Sequence, residues 1–325
     1  MGLAPVGWRN GIPKIKKPLM KQKNVDISVI ICSYNRAKYI VEALKSLSDQ
    51  SLPKSKYEVI VVDNNSTDET ETVCSAYIKE NPDLHAFYLN ETQQGSSFAR
   101  NTGAKHALGE FLVFMDDDAV ANKNFLENIL SFFESHPMAG GLGGRIIPLY
   151  IPVEPKWMSH FVSSLVGNFD YSNTLTTFSE EKYPLESNMA VRKLDFDSIG
   201  GFNENLPGVK GTLRIGGEGK DFFFRLKKLG KPIFYDPSVQ VQHVVETSKL
   251  TREYMYRVAS GIGRGERVRI REKGKIGFTL KMTEYLFKLG ASFTLGLLYL
   301  LQGKPAKSLP IIQFRIDAIK GFIGF

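Results

Sequence analysis

The stretch EFLVFMDDDAV (residues 110–120) decides how this chain of 325 residues is interpreted. An apolar segment typical of a buried strand leads directly into three carboxylates, Asp116, Asp117 and Asp118. Adjacent carboxylates repel one another and raise each other's pKa, so such a cluster at a partly buried strand end makes sense if a cation neutralises it. Oxygen ligands in small number suit Mg²⁺ or Mn²⁺. The simpler alternative is a solvated turn that caps a helix expected at 122–135.

Similar apolar runs precede this stretch and predict parallel strands. They are rich in Val, Ile and aromatic residues, as in strands that are covered on both faces. They are ISVIIC (27–32), YEVIVV (57–62) and LHAFYL (84–89). A helix is expected after each of them, at 37–49, 68–80 and 96–108. This alternation predicts an α/β sandwich with a central, mostly parallel sheet.

The second half of the chain continues in the same class. After the helix at 122–135 and a segment at 139–147, residues 148–185 predict a loop-rich lobe. A strand-like segment (186–192) and a Gly-rich loop (207–219) follow, and Gly230 ends a helix in KDFFFRLKKLG. The runs PIFYDP and VQVQHVV then predict two separate strands.

Charge divides the chain into three parts. Residues 1–25 carry six Lys or Arg and no acid, and residues 249–325 carry fifteen Lys or Arg against five Asp or Glu. Because the whole chain has a net charge of +8, the part between them is at −8. We therefore expect a basic N-terminal extension (1–25), an acidic central domain (26–248) and a basic helical C-terminal region (249–325). An acidic body between basic ends argues against a nucleic-acid partner and favours contact with an anionic membrane.

The tail also contains an apolar run, LGASFTLGLLYLL (289–301). Its thirteen residues are too few to span a hydrocarbon core of about 30 Å, so we expect an interfacial helix or a packed hydrophobic hairpin. Cys32 and Cys74 show no metal-ligand or disulfide spacing, which fits a reducing compartment. Without an apolar secretory signal near the start, the expected location is the cytoplasm, at the inner face of the plasma membrane.

Polar residues follow the ends of three predicted strands. Ser33 to Arg36 come after the first strand, Asp63 to Asn65 after the second, and Asp116 to Asp118 after the fourth. In doubly wound sheets, ligands bind where the carboxyl ends of strands and their loops converge. The sequence therefore predicts one crevice that is lined by these groups.

Five segments, in this order and spacing, resemble the family 2 glycosyltransferases of the GT-A fold. The resemblance covers residues 26–245 and is carried by ISVIICSYNRAKYI, VIVVDNNSTDET, QQGSSFARNTGAKHALGEFLVFMDDDAV, ESNMAVRK with FDSIGGFNE, and GGEGKDFFFRLKKLG. It implies that a sugar is transferred with inversion from a nucleotide diphosphate donor to an acceptor hydroxyl, with a divalent metal held by a D-x-D motif.

The resemblance assigns the metal site residue by residue. Asp118 corresponds to the direct ligand, and Asp116 and Asp117 would lie at the donor ribose or beside the metal. His243 matches a position where relatives place a histidine near the metal, although a lone His among Val residues is more often a packed core residue. Arg100 would lie over the nucleotide or pin the aspartates, the alternative being an exposed helix arginine.

The nucleotide would lie against the loops after the first two strands. Asp63 and Asn64 would face the base edge, at a motif whose second residue is commonly aspartate in the family. An amide both donates and accepts, so uracil can still be met and other bases become plausible, with UDP preferred. The base and ribose would be bordered by Ser33, Tyr34, Asn35 and Arg36.

The resemblance is weakest where the family usually reads Glu-Asp-x-Asp and places its catalytic base at the second acid. This chain reads Glu218-Gly219-Lys220-Asp221, so that position is glycine. Glu218 is the favoured base because its longer side chain lies nearest the expected cleft, and Asp221 is second. Both could instead be helix-terminal acids, and Lys220 could hold the diphosphate. On the acceptor side, which would take a carbohydrate or lipid-linked hydroxyl, the resemblance places Asn188 and Met189.

These patterns favour a metal-dependent inverting glycosyltransferase of cell-surface polysaccharide or glycolipid assembly. One alternative is a nucleotide-sugar-binding or scaffold protein that lost its base at Gly219. Another is a sugar nucleotidyltransferase, which is less favoured because the sequence has no Gly-rich phosphate loop after its first strand.

Overall fold

The computed structural model describes residues 25–210 and 213–324, so the N-terminal extension lies outside the described residues apart from its last member. The strands of this part are numbered in chain order. They are β1 (Ile27–Ser33), β2 (Tyr57–Asp63), β3 (Ala86–Asn90), β4 (Phe111–Asp116), β5 (Ala119–Ala121), β6 (Gly141–Ile151), β7 (Thr176–Thr177), β8 (Asn188–Arg192), β9 (Gly208–Lys210), β10 (Leu213–Ile215) and β11 (Ile233–Glu246).

The α-helices confirm the positions expected for the first half and add three long helices at the end. They are α1 (Ile40–Ser48), α2 (Thr70–Glu80), α3 (Ser96–His106), α4 (Phe125–Ser135), α5 (His160–Ser163), α6 (Lys193–Ser198), α7 (Glu218–Lys227), α8 (Arg252–Arg269), α9 (Gly274–Leu301) and α10 (Ser308–Ile323).

Alternation within the first strands places one apolar core on each side of the sheet. In β1, Val29 and Ile31 face a core shared with α1, α2 and α4, whereas Ile30 faces a second core shared with α3, α6 and α7. Side chains of successive strand residues point to opposite faces, so a strand that is apolar throughout must be covered on both. This confirms the expected α/β sandwich.

The sheet is mixed rather than mostly parallel. Within the described residues its order is β3-β2-β1-β4-β8-β6-β11-β5, with β7 paired to β11. The first four strands are parallel as expected, but β8 runs antiparallel to both β4 and β6. The parallel part gathers its carboxyl ends along one edge, where the predicted crevice should lie.

The prediction of two strands in PIFYDP and VQVQHVV is wrong, because both belong to β11. The strand pairs with β6 along its whole length and absorbs the Asp-Pro-Ser interruption as a shift of register between Asp236 and Gln240. An irregularity of this kind lets a strand bend without ending. The continuous strand carries His243 to the edge where β4 ends.

The apolar run at 289–301 is part of a longer helix. It forms the last half of α9, which has 28 residues. Together with the turn before it, Arg271–Leu301 is, within the described residues, long and apolar enough by length and composition to cross a membrane, and 17% of its most apolar window is buried. The expectation that the helix has only thirteen residues is therefore wrong. The more polar residues before the apolar run belong to the same helix.

Candidate functional site

The acidic triplet lies at a strand-to-strand turn whose partner is β11. The chain leaves β4 at Asp116 and enters β5 at Ala119, which pairs with His243 in antiparallel register. The N–H of Val244 donates to the backbone oxygen of Asp118 at 3.0 Å. Sheet pairing thus fixes the imidazole beside the turn, which explains how residues more than a hundred positions apart share one site.

Asp116, Asp118 and His243 each offer an atom to a group whose members lie within 4.8 Å of one another. Nε2 of His243 is 2.8 Å from Oδ1 of Asp118 and 3.9 Å from Oδ2 of Asp116. Nδ1 of the same ring lies 3.0 Å from the Val166 carbonyl, a partner that fixes the ring and directs Nε2 at the carboxylates. Two carboxylates and an oriented imidazole fit a divalent cation such as Mn²⁺ or Mg²⁺.

A buried cation of the protein itself, Lys249, adjoins this group. Its Nζ contacts Oδ2 of Asp118 and lies 3.3 Å from Nε2 of His243 and 2.8 Å from the Val244 carbonyl. Burial would raise the pKa of Asp118, but the charges and hydrogen bonds of His243 and Lys249 outweigh it and lower that pKa well below its ordinary value. Sequence analysis missed Lys249 because it counted this residue as the first charge of the basic tail.

Asp117, which lies between Asp116 and Asp118 in the chain, has a different electrostatic environment. Burial, followed by the charge of Asp118, raises the pKa of Asp117 to about 8. The Arg36 guanidinium, with Nε 3.6 Å from Oδ1 of Asp117, opposes this shift. This contact joins the loop after β1 to the acidic triplet.

The loops after β1 and β2 are hydrogen-bonded into one surface. Asn35 has a positive φ of 54°; its N–H donates to Oγ of Ser66 at 2.8 Å, and its Oδ1 accepts from the Thr67 N–H at 2.7 Å. The N–H of Arg36 donates to Oγ1 of Thr70 at 3.0 Å. Ser33 is buried and Tyr34 partly buried at the start of this loop. The polar groups after the first, second and fourth strands therefore do meet.

Asp63 and Asn64 serve the backbone of this region. The carboxylate of Asp63 accepts from Ser66 and from the Tyr88 hydroxyl. Both N–H groups of the Asn64 amide donate to backbone, to the Glu91 carbonyl at 3.1 Å and the Gln93 carbonyl at 2.8 Å. Oδ1 of the same amide accepts from the Gly95 N–H at 2.5 Å, so Asn64 holds these loops together, and its position at a base edge stays a prediction.

A second acidic centre lies at the start of α7. Oε1 of Glu218 is 3.2 Å from Oγ of Ser96 and 3.7 Å from Nη1 of Arg100. Arg100 is buried with its guanidinium 5.2 Å from the centre of the Phe202 ring, so it pairs with a glutamate and is not the exposed helix residue of the alternative. Glu186, which sequence analysis missed, joins this centre by accepting from the Gly219 N–H at 2.5 Å.

The model of the family described as "Glycosyl transferase family 2" matches residues 28–199, which is more than half of the chain. The chain belongs to glycosyl transferase family 2. Its fold is the GT-A fold, as the resemblance implied. A solved structure from Pyrobaculum calidifontis, the mannosyltransferase PcManGT with GDP-Man and Mn²⁺, aligns with a TM-score of 0.63 at 23% identity over 91% of this chain and 86% of that one.

Two bacterial relatives are similar in sequence to part of this chain. The poly(ribitol-phosphate) beta-N-acetylglucosaminyltransferase TarS of Staphylococcus aureus is 37% identical over 178 residues, which are 51% of this chain and 31% of TarS. The minor teichoic acid biosynthesis protein GgaB of Bacillus subtilis is 34% identical over 36% of this chain and 13% of its own length. The matches thus span about a third of these relatives or less. A solved TarS fragment with UDP aligns with a TM-score of 0.52 at 22% identity over 93% of this chain and 92% of the fragment.

Two residues that follow Glu218 in α7, Lys220 and Asp221, form ion pairs of their own. Asp221 forms an ion pair at 2.8 Å with Arg225, which is itself held by backbone carbonyls, so it does not join the Glu218 centre. Lys220 pairs with the buried Glu266 at 2.7 Å and is not free for a diphosphate.

The two residues assigned to the acceptor side lie within the sheet. The amide of Asn188 donates to the backbone carbonyls of Arg145 and Val239, at 3.0 and 2.9 Å. Met189 is buried in the second core. Strand β8 lies between β4 and β6, and both side chains are buried in the protein interior. Neither side chain is therefore placed to touch an acceptor.

Proposed function

We propose that this chain is an inverting, metal-dependent glycosyltransferase that moves a sugar from a UDP-sugar to an acceptor hydroxyl. The observation that carries the proposal is the group of Asp116, Asp118 and His243 at the edge where the loops after β1 and β2 also meet. Family membership supports the reaction class, and the names of TarS and GgaB support an acceptor in cell-surface polysaccharide or glycolipid assembly.

In this proposal, Asp116, Asp118 and His243 hold Mn²⁺ or Mg²⁺. The cation supplies positive charge to the diphosphate that leaves the sugar. The loop of Ser33–Arg36 borders the base and ribose, and its Arg36 contacts Asp117. The guanidinium of Arg36 adds a donor near the nucleotide, since an Arg fork suits phosphate and carboxylate oxygens.

Transfer with inversion also needs a base on the acceptor side. As the acceptor oxygen forms its bond to C1 of the sugar, its proton passes to a carboxylate, and the C1–O bond to the diphosphate breaks. The acidic centre at the start of α7 supplies that carboxylate: Glu218 is its candidate within the helix, and Glu186 lies beside it.

The preference for UDP rests on TarS, the similar relative whose fragment is solved with UDP and with UDP-GlcNAc.

The test is a panel of UDP- and GDP-sugars with the purified full chain, in Mn²⁺, Mg²⁺ or a chelator. Nucleoside diphosphate release and sugar transfer are the readouts. We expect turnover with a UDP-sugar that the chelator abolishes. Asp118→Asn should remove metal-dependent donor binding, whereas the exposed control Asp83→Asn should match the wild type.

Turnover that persists in the chelator would contradict the metal role, and turnover with GDP-sugars alone would contradict the UDP assignment. Binding of donor and metal without any transfer would favour the scaffold alternative. Release of pyrophosphate from a nucleoside triphosphate would instead favour the nucleotidyltransferase alternative.

We further propose that α9 and α10 rest on the anionic inner face of the plasma membrane. Large apolar side chains of α9 face outward, among them Ile276, Phe287 and Leu301, each at least 75% exposed. Near the start of the helix a cleft of about 740 Å³ is lined by Arg267, Arg271 and Lys275. Apolar surface beside clustered cations matches an anionic bilayer, where each well-placed Lys or Arg contributes about 1 kcal/mol. A lipid-linked acceptor would be presented at the same surface.

Sedimentation with vesicles tests this surface. We expect binding to vesicles that contain phosphatidylglycerol and weak binding to vesicles of phosphatidylcholine alone. High salt should release the protein in part, since added ions screen the cationic contribution. Equal binding to both vesicle types at all salt concentrations would contradict the electrostatic part of the proposal.

A further inference from the structure

The space beside Gly219 is filled from outside its helix. A Cβ atom on Gly219 would lie 2.1 Å from Oε1 of Glu186 and 2.3 Å from its Cδ. Real Cβ atoms do not approach other atoms so closely, and the Gly219 N–H already donates to the same oxygen at 2.5 Å. The Glu186 carboxylate therefore occupies the place that a side chain at position 219 would need.

We propose that Glu186 is the general base of the transfer and that its carboxylate replaces the side chain that Gly219 lacks. This inference rests on the proposed function and names the residue that performs its proton transfer. The acceptor hydroxyl gives its proton to the carboxylate as the acceptor oxygen bonds to C1. The electron pair of the broken C1–O bond leaves with the diphosphate, so no further reactant is needed.

The surroundings of the two glutamates favour Glu186 over Glu218. The Glu218 side chain is 8% exposed, and its Oε1 faces Arg100 and Ser96. Glu186 as a whole residue is partly exposed, although its carboxylate lies against the start of α7.

The charges that face Glu186 come from three segments. Burial, followed by the charge of Glu218 in α7, raises the pKa of Glu186, and Arg100 of α3 opposes this shift. Tyr183, a few residues earlier in the same segment as Glu186, also interacts with its charge. A carboxylate with a raised pKa accepts a proton more readily near neutral pH. Glu218 is therefore a positioning residue. It pairs with Arg100, and its charge contributes to the raised pKa of Glu186.

The first test is Glu186→Gln in the full chain, which keeps the size of the side chain and removes its basicity. We expect donor affinity with Mn²⁺ to stay within about twofold and transfer to fall by roughly 100-fold or more. The matched control is Glu181→Gln, an exposed glutamate of the same segment, which should transfer like the wild type. Transfer by Glu186→Gln at the wild-type rate would overturn the proposal.

The second test exchanges the two positions. Gly219→Asp alone should lower the melting temperature, because its side chain collides with Glu186. The double variant Glu186→Ala, Gly219→Asp should restore the melting temperature and transfer at least about tenfold faster than Glu186→Ala, since the new carboxylate enters the vacated space. A double variant that melts like Gly219→Asp would overturn the spatial replacement.

These outcomes separate the inference from the proposed function. A wild-type chain that transfers no sugar from any donor in the panel would defeat the proposed function. The melting temperatures of Gly219→Asp and of the double variant would still test whether Glu186 fills the place beside Gly219. Loss of transfer in Glu218→Gln with full transfer in Glu186→Gln would assign the base to Glu218.

Discussion

Lys249 places a permanent positive charge where a divalent cation is expected to bind. Its ammonium contacts the carboxylate of Asp118 and lies within 3.3 Å of the His243 ring. A buried carboxylate without a partner is costly, so this lysine stabilises the site before any metal arrives. Metal affinity and folding stability should therefore be coupled through this one residue.

Lys249→Met tests that coupling. Removal of the ammonium leaves the buried carboxylate of Asp118 without its lysine partner, which should destabilise the metal-free protein by about 3–5 kcal/mol. Mn²⁺ can then replace the missing charge, so its stabilising effect should be larger in the variant than in the wild type. Melting temperatures with Mn²⁺ and with chelator measure both effects. Lys45→Met, whose lysine forms an exposed pair within α1, is the control, and equal Mn²⁺ shifts in all three proteins would contradict the coupling.

The glutamate pair makes a prediction for the pH dependence of transfer. A general base must be ionised, so kcat/KM falls as the pH drops through its pKa. The negative charge of Glu218 raises the pKa of Glu186, while Arg100 acts in the opposite direction. Glu218→Gln should therefore keep measurable transfer and move the acidic limb of the kcat/KM profile to lower pH. A limb that stays in place or moves upward would show that Glu218 does not act through Glu186.

Among the elements, α8 supports the turn that leads into α7. A Cβ atom on Gly265 of α8 would lie 1.5 Å from the backbone oxygen of Gly216, so the two backbones are in direct contact. The ion pair of Lys220 with the buried Glu266 joins the same two helices. The start of α7, which carries Glu218, is thus held by a helix from the C-terminal region.

Two glycines in the C-terminal helices should respond oppositely to alanine. Gly265→Ala forces a methyl group into backbone and should destabilise the protein by at least about 1–3 kcal/mol while lowering transfer. Gly290→Ala in α9 meets nothing within 4 Å and should stabilise by up to about 1 kcal/mol through helix propensity. Denaturant unfolding of both variants measures the difference. Unchanged stability in Gly265→Ala would show that the turn before α7 can move away freely.

The elements that the sequence predicted best are those with strong periodicity and clear ends. The strands before Asp63 and Asp116 and the helix ended by Gly230 were found because apolar runs and turn residues mark them directly. The contacts that the sequence did not predict are tertiary contacts. The partners of Asn64 and Asn188 are backbone groups of distant segments, and Glu186 reaches Gly219 only because β8 is inserted between β4 and β6. Local patterns carry no signal for such pairings.

For the whole molecule, the catalytic and C-terminal parts share one apolar core. Val162 and Leu165 from the loop-rich lobe, Val245 from β11, Met255 and Val258 from α8, and Ile311 from α10 form one buried cluster. Residues from the helical tail therefore complete the packing of the enzyme body. The basic region at 249–325 is an integral part of the folded enzyme, whatever surface it contacts.

A chain that ends at residue 248 tests this integration. It loses Lys249, the contact of α8 with Gly216, and one side of the shared core. We expect it to be poorly soluble and to show no transfer with the donor that the full chain uses. Expression yield, circular dichroism and product formation measure the outcome. A soluble truncated chain with full transfer would show that the tail is independent of catalysis.

The contact between Gly265 and Gly216 joins the C-terminal helices to the start of α7. Because a side chain at Gly265 would collide with the Gly216 backbone, α8 and the turn before α7 are in contact with no side chain between them. Under the proposed membrane binding, the composition of the bilayer should then affect turnover as well as attachment.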